Sequence, residues 1–242
     1  MKNRFQIFLM LAASLAFLSC STASKHLTTD TGTMAEGDRL KSNDFYEEAR
    51  AQYTRIKTEF PQSQLQLEAD LKIAETYYLE ESYTAAAAAY EDFIRTYPGR
   101  PEIPKALYQL AMSYRQQMPS TPQRDTKSTA KAVDVFTRLL VEYPNSEHAK
   151  EAQTSVEEAR KQLAEKIYQV GRFYERDKKF EAAAKRFQEL TNQYPDVDLA
   201  EESYAREVEN LRKAGKSEDA NLKATRFQEK FPKSEFMSRI KP

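Results

Sequence analysis

Small and aromatic side chains recur along this chain at the spacing of a helical face, and the stretch 170–195 shows this most clearly. Four side chains there follow one another at steps of four, three and four residues: Ala183, Phe187, Leu190 and Tyr194. These steps place all four on one face of an α-helix. Three polar residues separate this run from the preceding run, VGRFYER. The pattern predicts two antiparallel helices joined by a short turn.

The same frame occurs five times, and each copy ends in an aromatic residue followed by proline: Phe60-Pro61, Tyr97-Pro98, Tyr143-Pro144, Tyr194-Pro195 and Phe231-Pro232. An alanine stands twelve residues before each proline: Ala49, Ala86, Ala132, Ala183 and Ala220. In four copies a small or apolar residue stands twelve residues before that alanine: Gly37, Ala74, Gly171 and Val208. This recurrence indicates an internal repeat and argues against an irregular helical bundle.

The offsets of the small residue, tyrosine, alanine and late proline resemble the tetratricopeptide (TPR) pattern. The resemblance implies an all-α fold, an α-solenoid of five TPR-like helical hairpins whose first helices line a groove. We expect repeats one to three within 33–145 and repeats four and five within 146–242. Such a stack of hairpins presents an extended concave surface, so the expected function is binding.

Two of the repeats are longer than the rest, since the alanine-to-alanine steps are 37, 46, 51 and 37 residues. The first surplus lies within 115–131, where two prolines interrupt the helix, and it predicts an enlarged loop over 118–126. The second lies within 146–164, which contains no proline or glycine. It predicts one long helix from about residue 146 to residue 176. Asp44 is predicted to cap the second helix of repeat one, and the tail 235–242 is predicted to fray.

The first twenty residues, MKNRFQIFLMLAASLAFLSC, combine a basic start, a short apolar run and Cys20, the only cysteine. The apolar run is too short for a comfortable membrane span. A leader that ends in a small residue and then cysteine resembles the bacterial lipoprotein signal. That resemblance implies removal of residues 1–19, acylation of Cys20 (diacylglyceryl and palmitate) and a lipidated flexible tether over 20–32. Phe17 stands where leucine is usual, and an ordinary signal peptide with a chance cysteine is the alternative.

Composition argues against several classes of function. Lysine plus arginine number 37 and so do aspartate plus glutamate, so nothing indicates a nucleic-acid surface. The two histidines, His26 and His148, are far apart in sequence and indicate no metal site. There is no glycine-rich phosphate loop, no Cys–His pair and no Ser–His–Asp combination with supporting spacing. We therefore expect no enzyme, no metal and no cofactor besides the covalent lipid on Cys20.

The positions that flank the small residue of each first helix are predicted to face the groove. For repeats one to three they include Asp38 and the candidate substrate-peptide residues Leu71, Glu75, Tyr78, Tyr108, Met112 and Arg115. Tyr78 and Tyr108 are candidates to hold an extended peptide, and Arg115 is a candidate to meet a carboxylate. The alternative for each tyrosine is packing against the neighbouring hairpin.

Two segments carry a closer resemblance, RDTKSTAKAVDVFTRLLVEYPNS (124–146) and IYQVGRFYERDKKFEAAAKRFQELTNQYPD (167–196). With the leader and the enlarged loop, they resemble the BamD family, the TPR lipoproteins of the outer-membrane β-barrel assembly (BAM) machinery. The resemblance implies a lipid-anchored adaptor on the periplasmic face of the outer membrane. It implies that the C-terminal repeats bind a POTRA domain of a BamA-like barrel protein and that the N-terminal repeats receive unfolded barrel clients. Arg186 matches an arginine that contributes to the BamA contact in the family. Contacts with other BAM lipoproteins stay open.

Two alternative functions remain open at this point. The first is a different TPR lipoprotein, which pilots pilus or secretion subunits or scaffolds cell-wall factors. The second is an enzyme, whose expected sign would be a polar pocket with perturbed titratable groups. Co-purifying partners would distinguish the first alternative from the BAM adaptor.

Overall fold

The computed structural model describes residues 29–118 and 127–240, and these two ranges are all-α, with no strand. Their helices are α1 (Asp30–Ser42), α2 (Tyr46–Glu59), α3 (Gln66–Leu79), α4 (Tyr83–Thr96), α5 (Ile103–Gln116), α6 (Lys127–Glu142), α7 (Ala149–Arg176), α8 (Phe180–Gln193), α9 (Leu199–Lys213), α10 (Ser217–Lys230) and α11 (Met237–Ile240). The predicted leader, Cys20 and all but one residue of the predicted loop lie outside the described ranges. Within those ranges, no helix has the length and apolar character needed to span a bilayer.

The helices pack as consecutive hairpins, which confirms the predicted repeat fold. In the first part of the chain α1 packs on α2, α2 on α3, and α3 on α4. Later in the chain α6 packs on α7, α7 on α8, α8 on α9, and α9 on α10. The chain forms two compact units, which divide between Ser113 and Tyr114 within α5. The division at residues 145 and 146 concerns function and stays a prediction.

Each unit is held together by the small and aromatic residues of the repeat frame. In the first unit Tyr53 is fully buried, and a Cβ built on Gly37 would lie 2.5 Å from the Tyr53 ring. In the second unit Phe187 is fully buried, and a Cβ on Gly171 would lie 2.8 Å from the Phe187 ring. The glycines therefore allow α1 and α7 to contact the aromatic rings of α2 and α8 directly. A larger residue at either position would collide with the ring of the second helix, which explains why glycine stands there.

The hairpin turns share one geometry, which corrects the role predicted for Asp44. After four of the first helices, the second residue beyond the helix end has a positive φ: Asp44, Glu81, Lys178 and Gly215. The next amide N–H then donates to a carbonyl five residues earlier, as from Phe45 to Leu40 at 3.0 Å. This is the Schellman arrangement, which closes the C-terminus of the preceding helix. Asp44 therefore ends α1 and does not cap α2, because an aspartate is one of the few residues that tolerates this conformation.

The helix boundaries differ from the predicted ones at three places. Helix α1 starts at Asp30, three residues before the predicted repeat, because the Thr29 hydroxyl accepts a hydrogen bond from the Gly32 N–H at 3.0 Å. The predicted long helix is confirmed as α7, which starts at residue 149. The tail was wrongly predicted to fray. Ile240 of α11 is fully buried against α9 and α10, and the Arg212 guanidinium donates to its carbonyl at 2.6 Å.

Candidate functional site

Arg186 lies on α8 beside a depression of about 440 Å³ between α7 and α8. The side chain of Phe187 points into the core, so its neighbour Arg186 projects outward, with 45% of its side chain exposed. Three aliphatic side chains of one α7 face form part of the lining: Leu163, Ile167 and Val170. The remaining lining residues are Ala130, Lys166, Glu189, Gln193 and Tyr194. We call this depression the Arg186 groove. It combines an aliphatic wall with charged groups of both signs.

The guanidinium of Arg186 is engaged within its own helix. Its Nη1 donates to Oε2 of Glu189 at 2.6 Å, and both side chains are well exposed. An exposed pair three residues apart on a helix contributes only about 0.3–0.5 kcal/mol to stability. A carboxylate of a partner protein can therefore replace Glu189 at little cost. The position predicted from the family resemblance is available for protein binding.

Five of the six predicted peptide-binding residues lie in the first unit, on two helices. Leu71, Glu75 and Tyr78 are on α3, whereas Tyr108 and Met112 are on α5; all five are half-buried. Glu75 forms an ion pair with Lys41, with 2.8 Å between its Oε2 and the lysine Nζ. The Tyr78 ring contacts Tyr83 edge to face, with centroids 5.4 Å apart. This contact lies within one hairpin, so it is not the packing against a neighbouring hairpin that was the alternative for Tyr78; part of the Tyr78 surface is still accessible.

The sixth residue, Arg115, falls in the second unit, and its guanidinium is already bonded. Nη2 donates to Oε2 of Glu158 at 2.7 Å and Nη1 to the Ser155 hydroxyl at 3.3 Å. Both partners belong to the extra length of α7. Arg115 therefore contacts α7, which the sequence did not indicate. Its pair with Glu158 is exposed (41% and 57% of the side chains), as the Arg186 pair is, so a client carboxylate can replace Glu158 at similarly little cost.

The first helices of the first unit carry ion pairs that sequence spacing did not predict, although Asp38 itself was predicted to face the groove. Asp38 of α1 accepts hydrogen bonds from the Tyr53 hydroxyl at 2.8 Å and from the Lys72 ammonium at 2.5 Å. Burial raises the pKa of Asp38, but these two donors outweigh it and hold that pKa below its usual value. The face of α1 and α3 is thus internally neutralised.

A larger charged network, centred on Arg206, lies between α7 and α9 in the second unit. The Arg206 guanidinium donates to Glu175 at 2.9 Å, to Glu202 at 2.8 Å and to the Tyr168 hydroxyl at 3.1 Å. The amide of Asn210 donates to the other oxygen of Glu175 at 2.9 Å. We call these five residues the Arg206 network. Only 12% of the Arg206 side chain and 13% of the Glu175 side chain are exposed.

The Arg206 network is a structural ion-pair cluster. Burial raises the pKa of Glu202, but the hydrogen bonds from Arg206 and Tyr168 hold it below its usual value. Arg239 of α11 extends the cluster, since its Nη1 lies 3.8 Å from Oε1 of Glu202 while its guanidinium forms a two-point ion pair with Glu209 at 2.7 and 2.8 Å. Apart from Glu202 and Arg206, which are four residues apart on α9, these partners lie 30 to 38 residues apart in sequence, so helical spacing does not predict the contacts.

A second buried acid occurs on α9. Glu207 is 2% exposed, and the Lys223 ammonium lies 2.7 Å from its Oε1. Burial raises the pKa of Glu207 despite the neighbouring lysine. Across the part of the chain that the structure describes, no group of three or more His, Cys, Asp or Glu side chains could hold a metal ion.

Comparison with known proteins gives the same family as the sequence resemblance. Residues 34–227 match the YfiO family, described as an outer membrane lipoprotein. An outer membrane protein assembly factor BamD from Neisseria meningitidis serogroup A / serotype 4A (strain Z2491) is 28% identical, covering 96% of this chain and 94% of its own length. A protein of the same name from Rickettsia prowazekii (strain Madrid E) is 26% identical, with 84% and 80% covered.

Among solved structures, the MamA protein is 17% identical, and the match covers 85% of this chain and 95% of the MamA chain with a TM-score of 0.38. The family match covers most of the chain, including both compact units and the Arg186 groove. The chain belongs to the YfiO family of outer membrane lipoproteins, in which the matched relatives are named BamD.

Proposed function

We propose that this protein is a non-enzymatic adaptor of outer membrane protein assembly, which couples a BamA-like barrel protein to unfolded β-barrel clients. The family match over residues 34–227 carries this proposal, and it is supported by relatives named as assembly factors that align over nearly their whole length. The hairpin fold supports a binding role, because stacked helical hairpins present extended surfaces.

The Arg186 groove is the proposed docking site for the BamA-like partner. Its aliphatic wall from α7 offers apolar area to bury, and Arg186 offers two donors to a carboxylate. A partner segment with apolar residues and one acidic residue therefore fits this groove. A periplasmic POTRA domain of the barrel protein would supply that segment.

The first unit is the proposed receptor for unfolded clients. Tyr78, Tyr108 and Met112 present partly accessible apolar surface on α3 and α5. Aromatic and methionine side chains accommodate varied apolar sequences, which suits a receptor for many different clients. Leu71 and Glu75 belong to the same α3 face as Tyr78, since steps of four and three residues separate them.

The acyl chains on Cys20 are the proposed membrane anchor, with the protein on the periplasmic face of the outer membrane. Several chains on one residue give stable anchoring, whereas a single chain is marginal. The tether also raises the effective concentration of the adaptor near membrane partners.

The partner assignment is tested by affinity purification from detergent-solubilised outer membrane. For Arg186→Glu we expect recovery of the barrel partner to fall roughly tenfold, because the new carboxylate repels the partner's acid at the groove. Lys185→Glu is the matched control, since Lys185 is the adjacent exposed residue and does not line the groove. The control should recover the partner as the unchanged protein does.

Equal recovery with Arg186→Glu and the unchanged protein would remove Arg186 from the interface. Recovery of pilus, secretion or cell-wall components in place of a POTRA-bearing barrel protein would contradict the assembly function itself. That outcome would favour the alternative adaptor and leave the fold unaffected.

The anchor is tested separately by membrane fractionation. With Cys20→Ser we expect the protein to leave the membrane fraction, because no other acylation site of this kind exists in a chain with one cysteine. The unchanged protein is the control. If the variant stays with the membrane after a salt wash and in the absence of its partner, the lipid-anchor proposal is wrong.

A further inference from the structure

The hairpin turns of the second unit gather positive charge that has no acidic partner. Arg176 ends α7, Lys178 lies in the α7–α8 turn and Lys213 ends α9, and all three are exposed. Within the described ranges, no ion pair or side-chain hydrogen bond engages them; Lys213 only lies over the Phe180 ring, 5.6 Å from its centroid. We call these three residues the basic edge.

Contacts between the two turns place these cations side by side. Lys213 of one hairpin reaches the ring of Phe180 in the other, and Lys216 pairs with Glu181 at 3.0 Å. Asn210, one turn before Lys213, is bonded to Glu175, the neighbour of Arg176. The ends of α7 and α9 therefore lie together, and their charges act on the same area of surface.

Nearby acids do not cancel the basic edge. Asp177 is paired with Lys179 at 2.8 Å, and Glu181 is shared by Lys216 and Lys185. Glu218 and Asp219 occupy the first turn of α10, where negative side chains complement the positive end of the helix dipole. Among residues 29–118 and 127–240, the three cations of the basic edge therefore have no paired acid.

The equivalent turns of the first unit have the opposite character. The positive-φ position that Lys178 occupies in the α7–α8 turn is occupied by Asp44 in the α1–α2 turn and by Glu81 in the α3–α4 turn. The turn geometry is the same in both units, so the fold does not require lysines there. The positive charge of the second unit is a separate property of its surface.

We propose that the basic edge contacts the anionic phospholipid headgroups of the membrane beside which the protein resides. The family is one of outer membrane lipoproteins, so a bilayer is the large anionic surface always within reach. Exposed lysine and arginine side chains are each attracted to such a surface with about 1 kcal/mol. Phe173, four residues before the turn and 55% exposed, supplies an aromatic side chain of the kind enriched at membrane interfaces. The contact would orient the second unit relative to the bilayer.

The test uses residues 21–242, which include every described residue and lack the acylated cysteine. Co-sedimentation is measured with vesicles of phosphatidylcholine alone and of phosphatidylcholine mixed with phosphatidylglycerol. We expect binding only to the vesicles that contain phosphatidylglycerol, and we expect added salt to weaken it. The edge variant combines Arg176→Glu, Lys178→Glu and Lys213→Glu. It should bind these vesicles at least about tenfold more weakly than the unchanged protein.

The matched control reverses three other exposed cations of the second unit, Lys150→Glu, Arg226→Glu and Lys233→Glu, for the same change in net charge. It should stay within about threefold of the unchanged protein, since charges farther than a Debye length are screened. A variant with glutamine at the three edge positions removes the cations without adding acids and should also lose binding. Unchanged helical circular dichroism establishes that each variant is folded.

The proposal fails if the unchanged protein does not bind the phosphatidylglycerol vesicles, or if the edge variant and the control lose binding equally. It also fails if the edge variant keeps vesicle binding and instead loses the barrel partner in the affinity purification; the edge would then be a protein-binding surface. The proposal depends on membrane location and not on the partner at the Arg186 groove, so the two experiments fail independently.

Discussion

Phe187→Ala is expected to lower the free energy of unfolding by about 3–5 kcal/mol, the usual cost of removing a fully buried phenylalanine ring. Phe187 is 0% exposed, and its ring packs edge to face on Tyr168 with centroids 5.8 Å apart. It also fills the space over Gly171, where α7 and α8 meet. Alanine would leave a cavity at the centre of the second unit. Urea unfolding followed by circular dichroism measures the change.

Phe173→Ala is the matched control for this loss. Phe173 is the same residue type on the adjacent helix, but 55% of it is exposed. Its replacement should change the free energy of unfolding by about 0.5 kcal/mol or less. If both phenylalanine variants lost similar stability, the packing of Phe187 against α7 would be contradicted.

The same contact gives a double-mutant cycle with Gly171. A Cβ at that position would lie 2.8–3.1 Å from three atoms of the Phe187 ring, so Gly171→Ala alone should destabilise by about 1–3 kcal/mol. In the Phe187→Ala background the ring is gone, and the better helix propensity of alanine should then make Gly171→Ala neutral or stabilising. Additive effects would show that the two residues do not meet.

Arg206→Ala is expected to lower the free energy of unfolding by about 3 kcal/mol, because it removes the main counter-charge of two acids in a largely buried network. Glu175 then keeps Arg172 at 3.2 Å and Glu202 keeps Arg239 at 3.8 Å. Of the two acids, 13% of the Glu175 side chain and 25% of the Glu202 side chain are exposed. The effect should be largest near neutral pH. Since the pKa of Glu202 is lowered in the folded state, its contribution is present above about 4.5 and is lost as the pH falls through the folded-state value.

Arg186→Ala is the control that separates the loss of a buried ion-pair network from the loss of an arginine in general. Arg186 also pairs with a glutamate, but that pair is exposed and should contribute about 0.5 kcal/mol or less. Thermal and urea unfolding of the two variants, at neutral and acidic pH, provide the comparison. Equal losses for Arg206→Ala and Arg186→Ala would mean that the network makes no special contribution to stability.

The repeat architecture was predictable because its causes are local in sequence. The frame of alanine, aromatic and proline positions follows the period of one helix and the stop at its end, so it could be counted directly. The glycines at 37 and 171 were recognised as members of that frame, and the structure supplies the reason in the Tyr53 and Phe187 rings. The long helix α7 followed from the absence of any helix-breaking residue over its first half.

The prediction from sequence was wrong where one residue type is common both at the start and just after the end of a helix. Asp44 was assigned to the start of a helix because aspartate is a common N-cap. In the structure it has a φ of 63° and ends the preceding helix instead. Aspartate suits both positions, and only the backbone path between α1 and α2 decides between them. The tail was misjudged for a similar reason, since the partners that bury Ile240 lie in two other helices.

Sequence by itself determined the all-α repeat fold, the family and the candidate residues at Arg186 and along α3 and α5. Tertiary structure alone decided which charges are already neutralised and which remain available. Arg115 pairs with Glu158, 43 residues away, and Arg206 with Glu175, 31 residues away, whereas the partner of Arg186 among the described residues is Glu189 of its own helix. Helical periodicity arises from bonds within a few residues, so a sequence displays it; ion pairing between helices depends on how the hairpins stack, which no local pattern records.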